Sequence, residues 1–160
     1  MNVLSVASEV FPLIKTGGIA DVTGALPDAL KVQGVTTCTF VPGYPAVMQA
    51  LQSPETVHSF PDLFGGDARI LASKAAGLEL FVLDAPHLYT RPGNIYLGPD
   101  GIDWPDNVAR FGAFSWVAAE IGRGLIPSFV PDILHLHDWQ AALAAVHVRF
   151  GGGPPVLLTV

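Results

Sequence analysis

The sequence predicts an α/β domain with a Rossmann-like, doubly wound and mostly parallel sheet into which a β-hairpin is inserted. Short, continuous apolar segments alternate with helical patterns, which is typical of parallel strands covered on both faces. Half of the 160 residues are hydrophobic and only 14% are charged, and 17 glycines and 14 prolines divide the apolar content into short pieces. No stretch reaches the ~18 uninterrupted apolar residues of a membrane span.

The first part of the chain alternates strand and helix. Residues 2–7 form an apolar run that predicts a strand, and residues 19–33 carry a helical pattern in which Pro27 predicts a kink or restart. β-branched and apolar residues at 35–41 predict a second strand, which ends at a Pro-Gly pair. A short helix is expected at 45–52.

The middle of the chain departs from this alternation. Residues 56–73 predict a hairpin with Gly65 and Gly66 at its turn, followed by a buried strand at 78–83. Residues 87–105 are rich in Pro, Gly, Asn and Asp and predict a long loop. Loops of this length inside a domain are more often functional than idle.

Alternation returns towards the end of the chain. The clearest helix is predicted at 106–123, followed by a strand at 132–136, an Ala-rich helix at 139–149 and a last strand at 155–160. In doubly wound folds, ligands bind at the carboxyl ends of the strands. The loops that follow residues 7, 41, 84 and 136 are therefore the expected location of a functional site.

Charge and cysteine content exclude several classes of protein. The net charge is −6, and the eight basic residues are scattered, so neither nucleic acid nor an anionic membrane is an expected partner. Cys38 is the only cysteine, so no disulfide within the chain is possible, and its apolar surroundings predict a buried thiol. The N-terminus has no basic segment followed by a long apolar one, so a cytoplasmic protein is expected.

The loop after the first strand combines two adjacent glycines with a cation. Gly17 and Gly18 precede a predicted helix, and Lys15 stands beside them, which suits an anion or diphosphate site at a helix N-terminus. The pattern is neither a dinucleotide-binding G-x-G-x-x-G nor a P-loop, so an ordinary turn before a helix explains it as well. Glu9 and Asp21 flank the loop, where each would bind sugar hydroxyls, cap the helix or face solvent.

A second cluster, HLHDW at 135–139, ends the fourth predicted parallel strand. His135 and His137 fall on the same face of that strand, and Asp138 lies at its carboxyl end. Asp138 is therefore either a ligand-binding carboxylate or the N-cap of the next helix, and the two roles are compatible. We expect His135 to be a core residue and Trp139 to serve packing.

A metal hydrolase is the rival interpretation of this cluster. Its H-x-H-x-D-H pattern needs an aspartate two residues after the second histidine, but Asp138 follows His137 directly. Trp139 occupies the position where a ligand is required. No metal site is therefore expected.

The run KTGGIADVTGA at 15–25 is much more specific than its glycines alone. It closely resembles the N-terminal signature of bacterial glycogen synthases and plant starch synthases, and SEVFP at 8–12 matches the same family. Residues 43–75 resemble the family least. Three later stretches match in the family's order: DAPHLYTRPG at 84–93, DNVARF at 106–111 and PDILHLHDW at 131–139.

The resemblance implies a fold and an activity. Such enzymes transfer glucose from ADP-glucose to the non-reducing end of an α-1,4-glucan with retention, and they need no metal or other cofactor. Their GT-B fold has two Rossmann-like domains with the active site in the cleft between them. Family members are several times longer than this chain. In them, an active-site histidine directly follows a strand that resembles residues 156–160. We therefore expect residues 1–160 to be part of the N-terminal catalytic domain, to lack the C-terminal nucleotide-binding domain and to be inactive alone.

The resemblance also implies roles for the first loop. Lys15, Gly17 and Gly18 match the family's donor-binding motif and suit stabilisation of a departing diphosphate by a cation and backbone N–H groups. Asp21 belongs to the same motif, where ligand binding or loop support is expected. Glu9 is a further candidate for binding substrate.

Two other regions carry candidate residues. Asp138, together with His137, is expected near the transferred glucose as the candidate catalytic pair. In the long loop, Tyr96 and Asn107 have side chains that suit sugar faces and hydroxyls, although loop packing and helix capping explain them equally well. His87 and Tyr89 match the family without a defined role.

Two further hypotheses come from other classes of protein. The first is a non-catalytic module of the same fold that binds a glucan or a phosphorylated ligand. The second is a flavodoxin-like receiver, which needs an acidic cluster after the first strand, where only Glu9 is found.

Overall fold

Seven strands form one sheet in the computed structural model, which describes residues 1–160. Their order across the sheet is β3-β4-β5-β2-β1-β6-β7. In chain order the strands are β1 (Asn2–Val6), β2 (Thr36–Pro42), β3 (Gln52–Phe60), β4 (Ala68–Ala75), β5 (Leu78–Asp84), β6 (Ile133–His137) and β7 (Val156–Thr159).

Five of these strands run parallel, in the order β5-β2-β1-β6-β7. The chain builds outward from β1 in one direction and then, with β6, in the other. The strand order therefore reverses between β1 and β6, and ligands of doubly wound folds bind at such a switch point. The predicted doubly wound, mostly parallel sheet is confirmed.

The predicted hairpin is confirmed and is longer than expected. β3 and β4 pair antiparallel around a turn that contains Gly65 and Gly66, and β4 also pairs antiparallel with β5. Ala76 and Gly77 form the connection between β4 and β5, with φ angles of 50° and 82°. Two consecutive positive φ angles match the two-residue hairpin turn, which an alanine in the first position does not signal in the sequence.

Five helices cover the sheet or lie at its edge. The structure differs from two expectations. No restart occurs at Pro27, which lies inside one uninterrupted helix, and the predicted loop at 87–105 begins with a single helical turn. The helices are α1 (Ile19–Lys31), α2 (Pro45–Ala50), α3 (Pro86–Tyr89), α4 (Asn107–Gly122) and α5 (Trp139–Gly151).

The main core lies between one face of the sheet and helices α4 and α5. Leu4, Phe40 and Leu136 are fully buried there, and the rings of Phe40 and Phe114 stack with centroids 4.7 Å apart. Cys38 lies in the same core, as predicted, and burial raises the pKa of its thiol.

Not all of the apolar content is buried. None of the helices is both long and apolar enough to cross a membrane. Large exposed apolar side chains gather on the outer face of α5 and along β7: Leu143, Val146, Phe150, Leu157, Leu158 and Val160.

The first turns of α1 pack directly against the loop that precedes them. A Cβ atom on Gly24 would lie 2.5 Å from the carbonyl oxygen of Phe11, so only glycine allows this approach. Nearby, the Thr23 hydroxyl donates to the carbonyl oxygen of Glu9 at 2.7 Å. Gly24 and Thr23 therefore fix the distance between the loop and the helix, and with it the position of residues 15–18.

We expect Gly24→Ala to destabilise the fold, although alanine favours a helix by about 1 kcal/mol over glycine. The overlap with a backbone oxygen outweighs this gain and costs roughly 1–3 kcal/mol. Urea unfolding followed by circular dichroism measures the difference. Gly17→Ala is the control, because a Cβ there meets no atom within 4 Å. Equal unfolding midpoints for Gly24→Ala and wild type would contradict the predicted overlap.

Candidate functional site

The candidate site lies at the carboxyl ends of β1 and β6, where the sheet reverses its strand order. Three segments meet there: residues 8–18 after β1, the loop that contains Tyr96, and the junction between β6 and α5. They are far apart in the sequence, but the parallel sheet brings the ends of neighbouring strands to one edge.

The Glu9 carboxylate is the centre of this arrangement. Glu9 is only 2% exposed, and it accepts hydrogen bonds from the Thr16 amide and hydroxyl, the latter at 2.6 Å. It also accepts from the Gly17 amide at 3.2 Å and from the Tyr96 hydroxyl at 2.7 Å. Burial alone would raise the pKa of Glu9, but the bonds from Thr16, Tyr96 and Gly17 outweigh it and lower the pKa.

Tyr96 connects the long loop to this carboxylate. Because the ionised carboxylate only accepts, the Tyr96 hydroxyl donates to Glu9 and accepts from the Ser8 hydroxyl, which lies 2.7 Å away. Burial raises the pKa of Tyr96, so the phenol stays a neutral donor. Its ring lies 6.1 Å from the ring of Trp139 and 5.8 Å from that of Phe111.

Asn107 lies beneath this loop, and both ends of its amide are engaged. Its Nδ2 donates to the carbonyl oxygen of Tyr96 at 3.0 Å, and its Oδ1 accepts from Arg110 at 2.6 Å. Asn107 is 8% exposed. The structure therefore shows this residue joining the loop to α4, which is the packing role considered beside glucan contact.

The two adjacent glycines lie open at the start of α1. A Cβ on Gly17 or Gly18 would meet no atom within 4 Å, so the chain's own packing does not require glycine there. The amides of Gly18 and Ile19 make no hydrogen bond within the chain, and no side chain caps the helix. Free N–H groups at a helix N-terminus suit an anion that approaches the backbone closely.

Lys15 and Asp21, both predicted site residues, contact each other. The Lys15 ammonium donates to both oxygens of the Asp21 carboxylate at 2.7 Å, and both side chains are about half exposed. Exposed pairs of this kind contribute only about 0–1 kcal/mol. Lys15 is therefore held near the glycines by a contact that exchanges easily.

The end of β6 brings His135 and His137 together, as the alternation predicted. Their rings lie 4.0 Å apart on one face of the sheet. His137 is 1% exposed, its Nε2 lies 3.0 Å from the Ser5 hydroxyl, and its Nδ1 has no partner. Burial, together with the nearby His135, lowers the pKa of His137 to about 4, so this ring is neutral near pH 7.

Trp139 has the packing role expected of it, but the expectation that His135 is a core residue is wrong. The His135 ring is half-buried, its Nε2 lies 2.9 Å from the Thr159 hydroxyl, and burial lowers its pKa. Trp139 is 52% exposed, but its ring packs against Phe111 with centroids 5.1 Å apart.

Asp138 adopts a backbone conformation that few residues other than glycine adopt. Its φ is 61° and its ψ is −175°, a region that costs roughly 1–3 kcal/mol and is concentrated at functional sites. It is the N-cap of α5, and its Oδ1 accepts from the Trp139 amide at 2.6 Å. Its own amide donates to the Thr159 carbonyl at 2.8 Å, so β7 holds this strained position.

Sequence reasoning missed the residues that support the site. Ser8 and Thr16 lie inside family motifs, but nothing in the pattern shows that their hydroxyls meet Tyr96 and Glu9. Arg110, within DNVARF, is 1% exposed and donates to the carbonyl oxygens of Leu88 and Ile95. A lone basic residue on the buried face of a predicted helix is the only signal that pointed to it.

His87 and Tyr89 also have structural contacts. His87 Nε2 lies 2.9 Å from the Leu63 carbonyl oxygen, and Tyr89 donates to the Arg110 carbonyl oxygen at 2.8 Å. No group of three or more His, Cys, Asp or Glu side chains is placed to hold a metal ion.

Fold and site together define a class: a Rossmann-like α/β domain with an open, amide-lined loop and a cation at its topological switch point. Such loops hold phosphorylated ligands. The chain belongs to the starch synthase catalytic domain family, whose model matches residues 2–160.

Curated relatives carry the name glycogen synthase. One from Rhodopseudomonas palustris (strain BisA53) is 62% identical over 154 residues, which cover 96% of this chain and 32% of the relative. One from Acidiphilium cryptum is 54% identical over 162 residues, which cover 100% of this chain and 34% of the relative. The chain thus spans about a third of the length of these relatives.

A solved structure confirms the fold. The catalytic domain of starch synthase IV from Arabidopsis thaliana, bound to ADP and acarbose, matches with a TM-score of 0.75 and 26% identity. The match covers 98% of this chain and 32% of that one. The α/β fold expected from the resemblance is therefore that of a GT-B glycosyltransferase.

The lowered pKa of Glu9 predicts a specific pH dependence of stability. A carboxyl with a depressed folded pKa contributes stability that is present above the unfolded pKa, near 4.5, and is lost as the pH falls through the folded value. We therefore expect wild type to be more stable than Glu9→Gln at pH 7, and the difference to shrink below about pH 4.5. Urea unfolding of both proteins between pH 3 and 7 measures it. A difference that grows on acidification would contradict this assignment.

The buried His137 ring is expected to titrate with a midpoint near pH 4, because burial opposes its charged form. The NMR signals of its ring, assigned by their loss in His137→Gln, report the midpoint directly. Since unfolded histidine binds its proton at about pH 6.5, stability should fall between pH 6.5 and 4 in wild type and less so in the variant. A midpoint at or above 6.5 would show that the ring is solvated.

Proposed function

We propose that this chain supplies the acceptor side and part of the donor site of a retaining glucosyltransferase. The enzyme would transfer glucose from ADP-glucose to the non-reducing end of an α-1,4-glucan such as glycogen. One observation carries the proposal: the Glu9-braced loop presents free amides and Lys15 at the switch point, at the same edge of the sheet as Asp138. The names of the relatives, and the ADP and acarbose of the starch synthase neighbour, support these ligand classes.

The donor's diphosphate is assigned to the loop at 15–18. As the bond to glucose breaks, negative charge develops on the diphosphate, and preorganised N–H groups with a cation stabilise it. Gly17 and Gly18 leave space for the phosphate oxygens to reach the backbone. Lys15 would bind phosphate in place of Asp21, and the free energy lost is small because an exposed ion pair contributes little to stability. Asp21 therefore positions Lys15 before the donor arrives.

The transferred glucose is assigned to the end of β6. Asp138 is the candidate catalytic residue, because its strained backbone directs it to the carboxyl edge of the sheet. His137 is buried beneath it and bonded to Ser5, so we assign it a positioning role. In a front-face mechanism the donor phosphate takes the acceptor proton, and the chain then needs no separate base.

Tyr96 is assigned to the acceptor side. Its ring stands beside Trp139, next to Asp138, while its hydroxyl is bonded to Glu9 and Ser8. The ring is thus the part that would face sugar, and Glu9 and Asn107 hold it from behind. Glu9 would affect the binding of both substrates, because it joins the loop at 15–18 to the loop that contains Tyr96.

The remaining nucleotide contacts are assigned outside these residues. The chain spans about a third of the length of its relatives, which supports residues 1–160 as part of an N-terminal catalytic domain. A second Rossmann-like domain would complete the cleft, and the chain alone would be inactive. A cytoplasmic location belongs to the same proposal.

A chimera tests the proposal directly. These 160 residues replace the corresponding third of the Rhodopseudomonas palustris relative, and incorporation of glucose from ADP-glucose into glycogen is measured. We expect the chimera to elongate glycogen and Lys15→Ala to lower the rate roughly 100-fold, the size of effect seen when one preorganised donor to a developing anion is lost. Asp138→Asn should lower the rate at least as much.

Controls separate function from folding. Lys31→Ala removes another exposed lysine, at the end of α1, and should leave the rate unchanged. An inactive chimera that folds would contradict the proposed activity, and maltooligosaccharide binding by the chain alone would then favour the non-catalytic module. Elongation by the isolated 160 residues would contradict the proposed need for a second domain.

A further inference from the structure

We propose that a second cavity, away from the donor loop, binds a small phosphate monoester through Arg110. This arginine pocket lies between the start of α2 and the loop at 89–95 and has a volume of about 410 Å³. That volume falls within the usual range for small-molecule sites. Its lining includes Ile14, Tyr44, Pro45, Thr90, Asn94 and Arg110.

The donors of Arg110 are not all used by the chain. A guanidinium carries five N–H groups. Nε donates to the Leu88 carbonyl oxygen at 2.7 Å, and Nη1 donates to the Ile95 carbonyl oxygen at 2.9 Å and to Asn107 Oδ1 at 2.6 Å. Nη2 makes no hydrogen bond, and it is not sealed from solvent. Its two N–H groups are therefore left for the cavity.

The charge of Arg110 also lacks a partner. The residue is 1% exposed, and no carboxylate forms an ion pair with it. The other arginine of the lining, Arg91, is already paired with both oxygens of Asp106. Buried charges are normally paired, because the loss of hydration is otherwise uncompensated. An anion in the pocket would supply the missing partner.

Tyr44 forms part of the same wall, with a hydroxyl that is sealed within it. It is 1% exposed, and its hydroxyl has no hydrogen-bond partner. Burial raises the pKa of this phenol, so it is a neutral donor and not a competing anion. The Tyr44 ring is packed edge-on against that of Tyr89, over which the Arg110 guanidinium also lies.

The chemistry of the lining favours phosphate over a planar carboxylate. A tetrahedral phosphate presents oxygens in several directions, so it suits donors on different walls, such as Arg110 and the Thr90 hydroxyl. Apolar surface from Ile14 and Pro45 would face the organic part of a monoester. None of the lining residues is among those assigned to the donor or the glucan, so this site is separate from the proposed active site.

The test is an NMR titration of the ¹⁵N-labelled chain with inorganic phosphate, with acetate and glycerol as parallel probes. We expect saturable shifts at 44–46 and 89–95 with phosphate, weaker binding at higher salt, and no saturation with glycerol. Shifts confined to 15–19 would overturn the proposal, because phosphate would then occupy only the donor loop. Acetate binding as tightly as phosphate, or no saturation at all, would overturn it too.

Variants test the assigned donors. In Arg110→Lys the charge remains, but three N–H groups suffice only for the acceptors within the chain, so phosphate should bind roughly 10-fold more weakly. Arg123→Lys is the matched control, because Arg123 also donates to a carbonyl oxygen and is distant from the pocket. Unchanged affinity in Arg110→Lys would overturn the proposal.

Thr90→Val keeps the test decisive if Arg110→Lys does not fold, because Thr90 is exposed and lines the pocket. Valine preserves the shape of threonine and removes only the hydroxyl, and we expect roughly 5-fold weaker phosphate binding. Equal affinity in Thr90→Val and wild type would show that the shifts at 89–95 do not arise from the proposed site. Glycogen elongation by the chimera is a separate measurement, so failure here and failure of the proposed function are distinguishable.

Discussion

A single buried carboxylate organises the functional end of this domain. Glu9 takes hydrogen bonds from Thr16, Gly17 and Tyr96, and so ties the loop after β1 to a loop almost 90 residues later in the chain. A buried anion is tolerated only when donors surround it, so the three partners hold Glu9 and Glu9 holds them. The free amides at Gly18 and the Tyr96 ring both take their positions from this one group.

The end of β6 illustrates a different constraint. Asp138 occupies a strained backbone conformation, and the carbonyl oxygen of Thr159 in β7 holds its amide there. His137, one residue earlier, is neutral and buried against Ser5 of β1. The neighbouring strands and the first turn of α5 thus hold a carboxylate at the open edge of the sheet.

The agreement between sequence and structure differs from one element to the next. Alternating apolar segments located every parallel strand within a few residues, because buried strands in such a sheet must be apolar on both faces. The turn at Ala76 and Gly77 was missed, since alanine does not signal a positive φ. The pairing of Lys15 with Asp21 was also not foreseen, because a motif names residues but not their partners.

The class of fold, the family and the loops that carry the site follow from the amino-acid sequence alone. Hydrophobic periodicity and motif order are local properties, so they can be recognised in a sequence without knowledge of any tertiary contact. The role of each polar group follows from the three-dimensional contacts: Glu9 braces two loops, His137 is buried, and Arg110 keeps an unpartnered nitrogen beside a cavity. Those roles depend on hydrogen bonds and burial between residues distant in the chain, which no local pattern encodes.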